Sequence, residues 1–319
     1  MKLGLLSNPG SERNKRGLQE LDAAAAGRPD LLHVHLEDVA DLREVLQDFA
    51  RREVGAVAVA GGDGTVQATL TELLEAPPFE TPPLMAVLPR GMTNLIAGDV
   101  GLRGHPGRAL ARLQEVLRGG EALEAAVRTR AILRLDNLPD RPPQWGMYLG
   151  VAGVVRAARY CMDRLHSRGI KHQSAVAATL AGLLLGRLVG HRNEAAFGGS
   201  DVSIGIDNAP SQTRRRLLAI VTTLDKMILG SRPFWNLDGG AIRYTSIADP
   251  APGLVCKARR VLYGGNARGL PAEVFESRSC HRLEIGTGEE VALDGQFFEI
   301  RRDAPLVVTA PKTLRFVSP

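Results

Sequence analysis

The chain has 319 residues, which is long for one hydrophobic core, so two domains are expected. Its 40 basic and 35 acidic residues give a formal net charge of +5, too mild for a nucleic-acid-binding protein but compatible with a nucleotide or an anionic membrane surface. Three widely spaced cysteines argue against a disulfide framework and a zinc site, and they favour a reducing compartment. The sequence shows neither a signal-peptide pattern nor an apolar run of roughly 18–20 residues, so we expect a cytoplasmic protein, peripheral at most at the inner membrane face.

The first part of the chain, residues 1–130, alternates between strand and helix patterns. The runs at 54–60 and 84–88 are continuously apolar, as strands buried on both faces are. Helical spacing follows at 41–51, 66–74 and 110–117. This alternation predicts βαβ units and a parallel sheet.

After about residue 130, short strand patterns follow one another mostly without helices, which indicates an all-β second domain. The predicted strands lie at 131–135, 145–149, 202–206, 217–222, 241–247, 254–262, 282–285, 291–293, 306–310 and 314–317. A helical insertion is predicted at 171–192, and packing on the strands is favoured for it over a lipid entrance or a membrane contact. The turn at 230–235 carries two aromatic residues, which plug the edge of a core more often than they contact acyl chains.

One strand-to-helix junction has the composition of a phosphate site. The predicted strand 54–60 runs into Gly61-Gly62-Asp63-Gly64-Thr65, and a helix pattern begins near Val66. Glycines let backbone N–H groups approach an anion, and a helix N-terminus favours negative charge. Thr65 can add a hydroxyl. Asp63 would serve a magnesium ion or take a proton from an attacking hydroxyl, and the alternative is that it caps the following helix.

A second junction repeats this logic at Pro89-Arg90-Gly91-Met92-Thr93-Asn94, directly after the strand 84–88. Because ligands bind at the carboxyl edge of open α/β sheets, both loops are expected to line one crevice. Asn94 has the alternative of a helix N-cap. The motifs GxxxxGK[ST], GxGxxG, HExxH and GxSxG are absent, so P-loop enzymes, Rossmann dehydrogenases, zincins and α/β-hydrolases lose support.

Four motifs in order resemble the diacylglycerol kinase catalytic-domain family, which includes bacterial lipid kinases, sphingosine kinases and ceramide kinases. They are Asn8-Pro9, GGDGT at 61–65, LPRGMTN at 88–94, and Asp294-Gly295. The resemblance implies an α/β N-terminal domain with a parallel sheet that binds ATP, and a C-terminal all-β sandwich domain that binds lipid. This is the NAD kinase/diacylglycerol kinase-like two-domain architecture. The first domain would comprise 1–130 and returning strands at about 303–319, the second 131–302, with the active site in the cleft between them.

The resemblance also implies roles for individual residues. Asn8 would lie near the adenine or ribose, and Gly61, Gly62, Asp63, Gly64 and Thr65 would cradle the phosphates. Gly91 and Asn94 would line the nucleotide site. Asp294 corresponds to an aspartate proposed as general base, while Asp63 would act near the metal or as the base.

This sequence departs from the family pattern at three places. Met92 stands where the family pattern has a threonine, and a Met side chain cannot donate a hydrogen bond to phosphate. The neighbouring Thr93 would have to supply that hydroxyl. Gln296 replaces the glutamate of an Asp-Gly-Glu motif. The usual Ser-Gly-Lys after Asn8-Pro9 is missing, although Arg13 or Lys15 could reach a phosphate; solvated surface charge is the favoured interpretation of each.

The leading hypothesis is therefore an ATP- and magnesium-dependent kinase of a lipid hydroxyl. Its partners would be ATP, a lipid such as diacylglycerol and a transient membrane surface, with no nucleic acid. Two alternatives stay open: a soluble kinase of the NAD kinase type, and a non-catalytic nucleotide- or lipid-binding homologue, which Met92 and Gln296 motivate. His33 and His35 face one side of a strand and receive no role.

Overall fold

A computed structural model describes residues 1–11, 14, 18–168, 198–237, 239–265 and 269–319. The predicted helical insertion at 171–192 lies outside the described residues, as do Arg13 and Lys15. The chain divides into two compact units, Met1–Arg130 with Thr313–Pro319, and Ala131–Lys312. The C-terminal segment of the first unit is thus shorter than the expected 303–319.

The first unit is a parallel sheet flanked by helices. Its strands are β1 (Lys2–Ser7), β2 (Leu31–His35), β3 (Val54–Gly61) and β4 (Leu84–Pro89). Its helices are α1 (Leu18–Ala25), α2 (Leu42–Arg51), α3 (Asp63–Glu75), α4 (Leu95–Val100), α5 (Pro106–Val116) and α6 (Glu121–Ala126). The strand order is β2-β1-β3-β4, all parallel, and Phe316 near the C-terminus pairs in parallel with Met85 of β4.

Small residues let helices pack closely on this sheet. Ala56, Ala58 and Ala60 lie on one face of β3 in a buried cluster with Leu110 and Leu113 of α5. Burial of leucine side chains of this kind contributes about 1.5–3 kcal/mol each. The apolar run that predicted a strand buried on both faces is therefore an interior strand.

The second unit is built from antiparallel strands. They are β5 (Val127–Asp136, starting in the first unit), β6 (Gln144–Gly146), β7 (Tyr148–Ala152), β8 (Ser200–Ile206), β9 (Gln212–Thr222), β10 (Ile242–Ala248), β11 (Phe275–Cys280), β12 (Arg282–Thr287), β13 (Val291–Leu293), β14 (Gln296–Phe298) and β15 (Leu306–Val317). The order is β14-β13-β7-β9-β8-β12-β15, with β10 between β9 and β11, and β5 beside β6. A parallel N-terminal sheet followed by antiparallel strands confirms the predicted fold class.

The structure differs from the predicted elements of this unit at several places. The expected strand at 254–262 is a helix, α8 (Leu254–Tyr263), and α7 (Gly153–Arg168) adds a second helix among the strands. Leu254 and Val261 are buried two helical turns apart, while Arg259 and Arg260 between them are exposed. The two strands expected after residue 306 are one strand, β15.

Among the described residues, no helix has the length and apolar character needed to cross a membrane.

Candidate functional site

The two glycine loops meet at the carboxyl ends of neighbouring strands. Gly61 of β3 pairs with Pro89 of β4, and the Arg90 N–H donates to the Gly61 carbonyl at 3.1 Å. A Cβ added to Gly91 would lie well under 3.0 Å from the Cα of Gly62. Backbone therefore touches backbone here, and only glycine fits at this crossing.

The first loop ends in the N-terminus of α3, which is open to an anion. Its N-cap is Gly62, in extended conformation, and the Thr65 and Val66 N–H groups donate to the Gly62 carbonyl at 3.0 and 3.1 Å. Gly62 has no side chain to accept the earlier N–H groups, those of Asp63 and Gly64. Among the described residues no side chain caps this 13-residue helix, and a helix N-terminus of this kind favours a phosphate.

Asn8 joins the end of β1 to this loop. Its Nδ2 donates to Oγ1 of Thr65 at 3.0 Å, and its Oδ1 accepts from the Gly10 N–H at 2.8 Å. The expected nucleotide residue Asn8 thus lies beside the GGDGT loop, and its contacts hold Thr65 in place.

Asn14 is a site residue that the sequence analysis missed. It is buried, and its Nδ2 donates at 2.8 Å to the carbonyls of both Asn8 and Ala60, while its Oδ1 accepts from Nε of Arg90 at 2.6 Å. One side chain therefore ties the ends of β1 and β3 to the loop after β4. A polar residue in a turn is an ordinary pattern, so nothing local distinguished Asn14.

Asp63 caps a helix other than its own. Its carboxylate accepts from the N–H groups of Leu95 at 2.9 Å and Ile96 at 3.1 Å, which open α4. The alternative in which Asp63 caps α3 is therefore wrong. Asn94 occupies the N-cap position of α4, but within the described residues its side chain makes no capping bond; it accepts from the Gly91 N–H at 2.8 Å and donates to the Gly91 carbonyl at 2.6 Å.

The environment of Asp63 raises the pKa of its carboxyl group toward neutral pH. Desolvation raises the pKa of Asp63 to about 6, and the backbone N–H groups of Leu95, Ile96 and Asn94 oppose this rise. Between pH 4 and 6 the folded protein therefore holds a proton at Asp63 that the unfolded chain releases. Stability from this group is fully present below pH 4 and is lost as pH rises through 6.

We expect Asp63→Asn to remove this pH dependence. The unfolding free energy of the wild type, minus that of Asp63→Asn, should fall by about 1–3 kcal/mol between pH 4 and pH 7. Urea unfolding of both proteins across this pH range measures the difference. A constant difference would mean that Asp63 keeps an ordinary carboxyl pKa.

Asp294 lies in the second unit and is only 1% exposed. Its carboxylate accepts from the N–H groups of Met147 at 2.8 Å and Tyr148 at 2.9 Å, and its own N–H donates to the Tyr148 carbonyl at 2.8 Å. Burial, with the Asp294 charge second, raises the pKa of Tyr148. Within the described contacts, Asp294 holds the turn between β6 and β7. Gln296 is exposed at the start of β14.

At the tip of the second loop, Met92 and Thr93 are partly exposed, whereas Gly91 and Asn94 are buried. The buried pair shapes the loop, and the partly exposed pair borders solvent. The position where the family pattern has threonine is thus open to solvent.

Residues 2–124 match a family model described as the diacylglycerol kinase catalytic domain. The resemblance to the diacylglycerol kinase catalytic-domain family that the sequence motifs indicated is confirmed over this segment. The matched residues contain both glycine loops, Asn8 and Asn14. The family match therefore covers the same residues that form the crossing of the two glycine loops.

Two solved structures extend the similarity to the whole chain as a fold. A diacylglycerol kinase from Bacillus anthracis str. Sterne superposes with a TM-score of 0.61 at 18% identity, covering 99% of this chain and 96% of that one. A second structure from that strain, of a protein provisionally assigned as a diacylglycerol kinase, gives a TM-score of 0.65 at 18% identity, covering 100% and 97%. No curated protein matches the chain.

A kinase catalytic domain implies a nucleotide and a divalent metal, and the residues present fit them. The glycine crossing leaves no room for a side chain, and the uncapped α3 N-terminus offers N–H donors to phosphate oxygens. Asp63 is the one carboxylate in the two loops, and each of its oxygens keeps a lone pair beyond the N–H bonds it accepts. Mg²⁺ usually takes one or two carboxylates together with substrate phosphates and water, so this donor set fits a metal that arrives with the nucleotide.

Proposed function

We propose that the protein transfers a phosphate from ATP to the hydroxyl group of a lipid. The observation that carries this proposal is the contact of Gly62 with Gly91 at the N-terminus of α3, in a segment that matches a kinase catalytic-domain family. The N–H groups of Asp63 and Gly64 bind phosphate oxygens, and Thr65, held by Asn8, borders the same loop.

Of the two candidate bases, we favour Asp63. It is partly exposed, and each of its oxygens keeps a lone pair beyond the backbone N–H bonds it accepts. Asp294 is buried, and both of its oxygens accept backbone N–H groups. In the proposed step the lipid oxygen attacks the γ-phosphorus, its proton passes to Asp63, and the bond from phosphorus to the ADP oxygen breaks. Bound magnesium would neutralise charge on the phosphates.

A lipid acceptor is supported by an exposed apolar patch on the second unit. Leu229 is 66% exposed, Tyr263 52% and Leu262 37%. The segments that carry them are in contact. The Tyr263 hydroxyl donates to the Leu229 carbonyl at 3.4 Å, and the Arg232 N–H donates to the Leu262 carbonyl at 2.9 Å. Arg232 is itself exposed. Apolar side chains beside a cationic one suit an anionic membrane surface. Phe234 and Trp235, by contrast, are buried, as the core-edge interpretation predicted.

The alternative of a non-catalytic homologue has one specific observation in its favour. Met92 lies at the tip of the second loop, and its thioether side chain cannot donate a hydrogen bond to phosphate. Thr93 beside it is also partly exposed and provides a hydroxyl in the same turn.

The test is phosphate transfer from γ-labelled ATP with magnesium, offered separately to vesicles of a mixed lipid extract and to NAD. We expect a labelled lipid with the wild type and at least a 100-fold lower rate with Asp63→Asn. Asp48→Asn, which changes a partly exposed carboxylate on α2, is the matched control and should keep the wild-type rate.

The outcomes separate the hypotheses. Label on NAD would support the NAD kinase type instead of the lipid kinase. No labelled product, together with a rise in Tm when ATP is added, would indicate a protein that binds nucleotide without transferring phosphate.

A further inference from the structure

Two histidines and an aspartate converge on the outer side of the first unit. His33 and His35 lie two residues apart on β2, so they share one face of the strand, and Asp22 comes from α1. Oδ1 of Asp22 lies 3.3 Å from Nδ1 of His33 and 2.9 Å from Nε2 of His35. The two imidazole rings are 4.6 Å apart between centroids.

These distances are short enough for the three side chains to bind one metal ion. Zinc binds nitrogen and oxygen ligands at about 2.0–2.1 Å, so neighbouring ligands of a tetrahedral site lie roughly 3.3 Å apart. One ligand atom from each of Asp22, His33 and His35 lies within 4.8 Å of the other two. A single carboxylate oxygen directed at two imidazole nitrogens is the arrangement that one cation between them would complete.

We propose that Asp22, His33 and His35 bind a divalent transition metal ion, with zinc as the best-fitting ion. Two imidazoles and one carboxylate suit zinc and its neighbours in the first transition row, whereas magnesium and calcium prefer oxygen ligands. Three protein ligands leave a fourth position for water or another ligand.

Ser7 supplies the outer contact that such a site needs. Nε2 of His33 lies 2.7 Å from Oγ of Ser7, so with Nδ1 on the metal the Nε2–H donates to the hydroxyl. This contact is compatible with the tautomer that metal binding requires, because a serine hydroxyl can accept as well as donate. A hydrolytic Ser-His-Asp arrangement does not apply, because Ser7 is 0% exposed and no substrate can reach it.

The outer contact of this site, Ser7, is next to the proposed nucleotide site along the chain. Ser7 precedes Asn8, whose side chain holds Thr65 of the phosphate loop. A metal on His33 therefore fixes the end of β1 next to the loop that binds phosphate. Metal binding and nucleotide binding would both order this strand end.

The test uses the full chain without a polyhistidine tag, stripped with chelator and dialysed against Zn²⁺ before metal analysis. We expect one Zn²⁺ per chain, and with Co²⁺ the visible absorption of a tetrahedral site. His35→Gln and Asp22→Asn, both at partly open positions, should weaken binding at least 100-fold. Ser7→Ala should weaken it 10- to 100-fold, the usual effect of losing an outer partner of a ligand.

His105→Gln is the matched control, because His105 also contacts a carboxylate, Glu20 at 3.3 Å, but belongs to no three-residue cluster among the described residues. It should bind zinc as the wild type does. Circular dichroism checks that each variant is folded. Wild-type zinc affinity in His35→Gln, or less than 0.1 equivalent (about background) bound by the wild type, would overturn the proposal.

Discussion

Gly91→Ala is expected to reduce phosphoryl transfer about 100-fold or more and to lower the free energy of unfolding by about 1–3 kcal/mol. The added Cβ would meet the backbone of Gly62 well under 3.0 Å away, so no side-chain rotation can relieve the clash. The loops after β3 and β4 must move apart, and a displacement of about 1 Å is enough to misplace a reacting phosphate. Titration with ATP and initial rates with a lipid acceptor measure the effect.

Gly98→Ala is the matched control for this substitution. Gly98 lies on α4, and no described atom comes within 4 Å of a Cβ built there. Alanine should keep wild-type activity and stabilise α4 by up to about 1 kcal/mol, because it favours helix over glycine. If Gly91→Ala bound ATP and transferred phosphate like Gly98→Ala, the glycine crossing would not be the nucleotide site.

Asp294→Asn is expected to lower the free energy of unfolding by about 2–4 kcal/mol. The amide is nearly the same size, but its NH₂ group would face the N–H of Met147 or Tyr148, so one bond from a buried donor is lost and the other weakened. The backbone is not the cause, because the φ of 47° at Asp294 is one that asparagine adopts readily. Urea unfolding measures the loss.

Asp201→Asn, an exposed position on β8, is the control and should change stability by less than about 0.5 kcal/mol. Activity then separates two roles for Asp294. Where Asp294→Asn is fully folded, we expect phosphoryl transfer within about tenfold of the wild type, as for a positioning residue. A loss of about 10³-fold or more in folded protein would instead make Asp294 the base and contradict the preference for Asp63.

The sequence predicted the elements whose cause is local. The apolar run of β3 and the helical spacing of α2 follow from side-chain periodicity within one element, and both are present. The glycines around Asp63 and Gly91 predicted tight turns at the ends of parallel strands. Because parallel strands end at one edge of a sheet, the meeting of the two loops could also be predicted. Periodicity failed at α8, where a short apolar run fits strand and helix equally well.

Only the tertiary structure decided what the polar side chains contact. Asp63 could cap its own helix by sequence, yet it caps α4, 32 residues away, because the crossing of Gly62 with Gly91 brings that helix to it. Asn14 and Arg90, 76 residues apart, meet for the same reason. Asp22 meets His33 and His35 only because α1 packs beside β2. A local sequence pattern predicts backbone conformation over a few residues. The partner of a polar or charged side chain depends instead on which distant segments the sheet brings together.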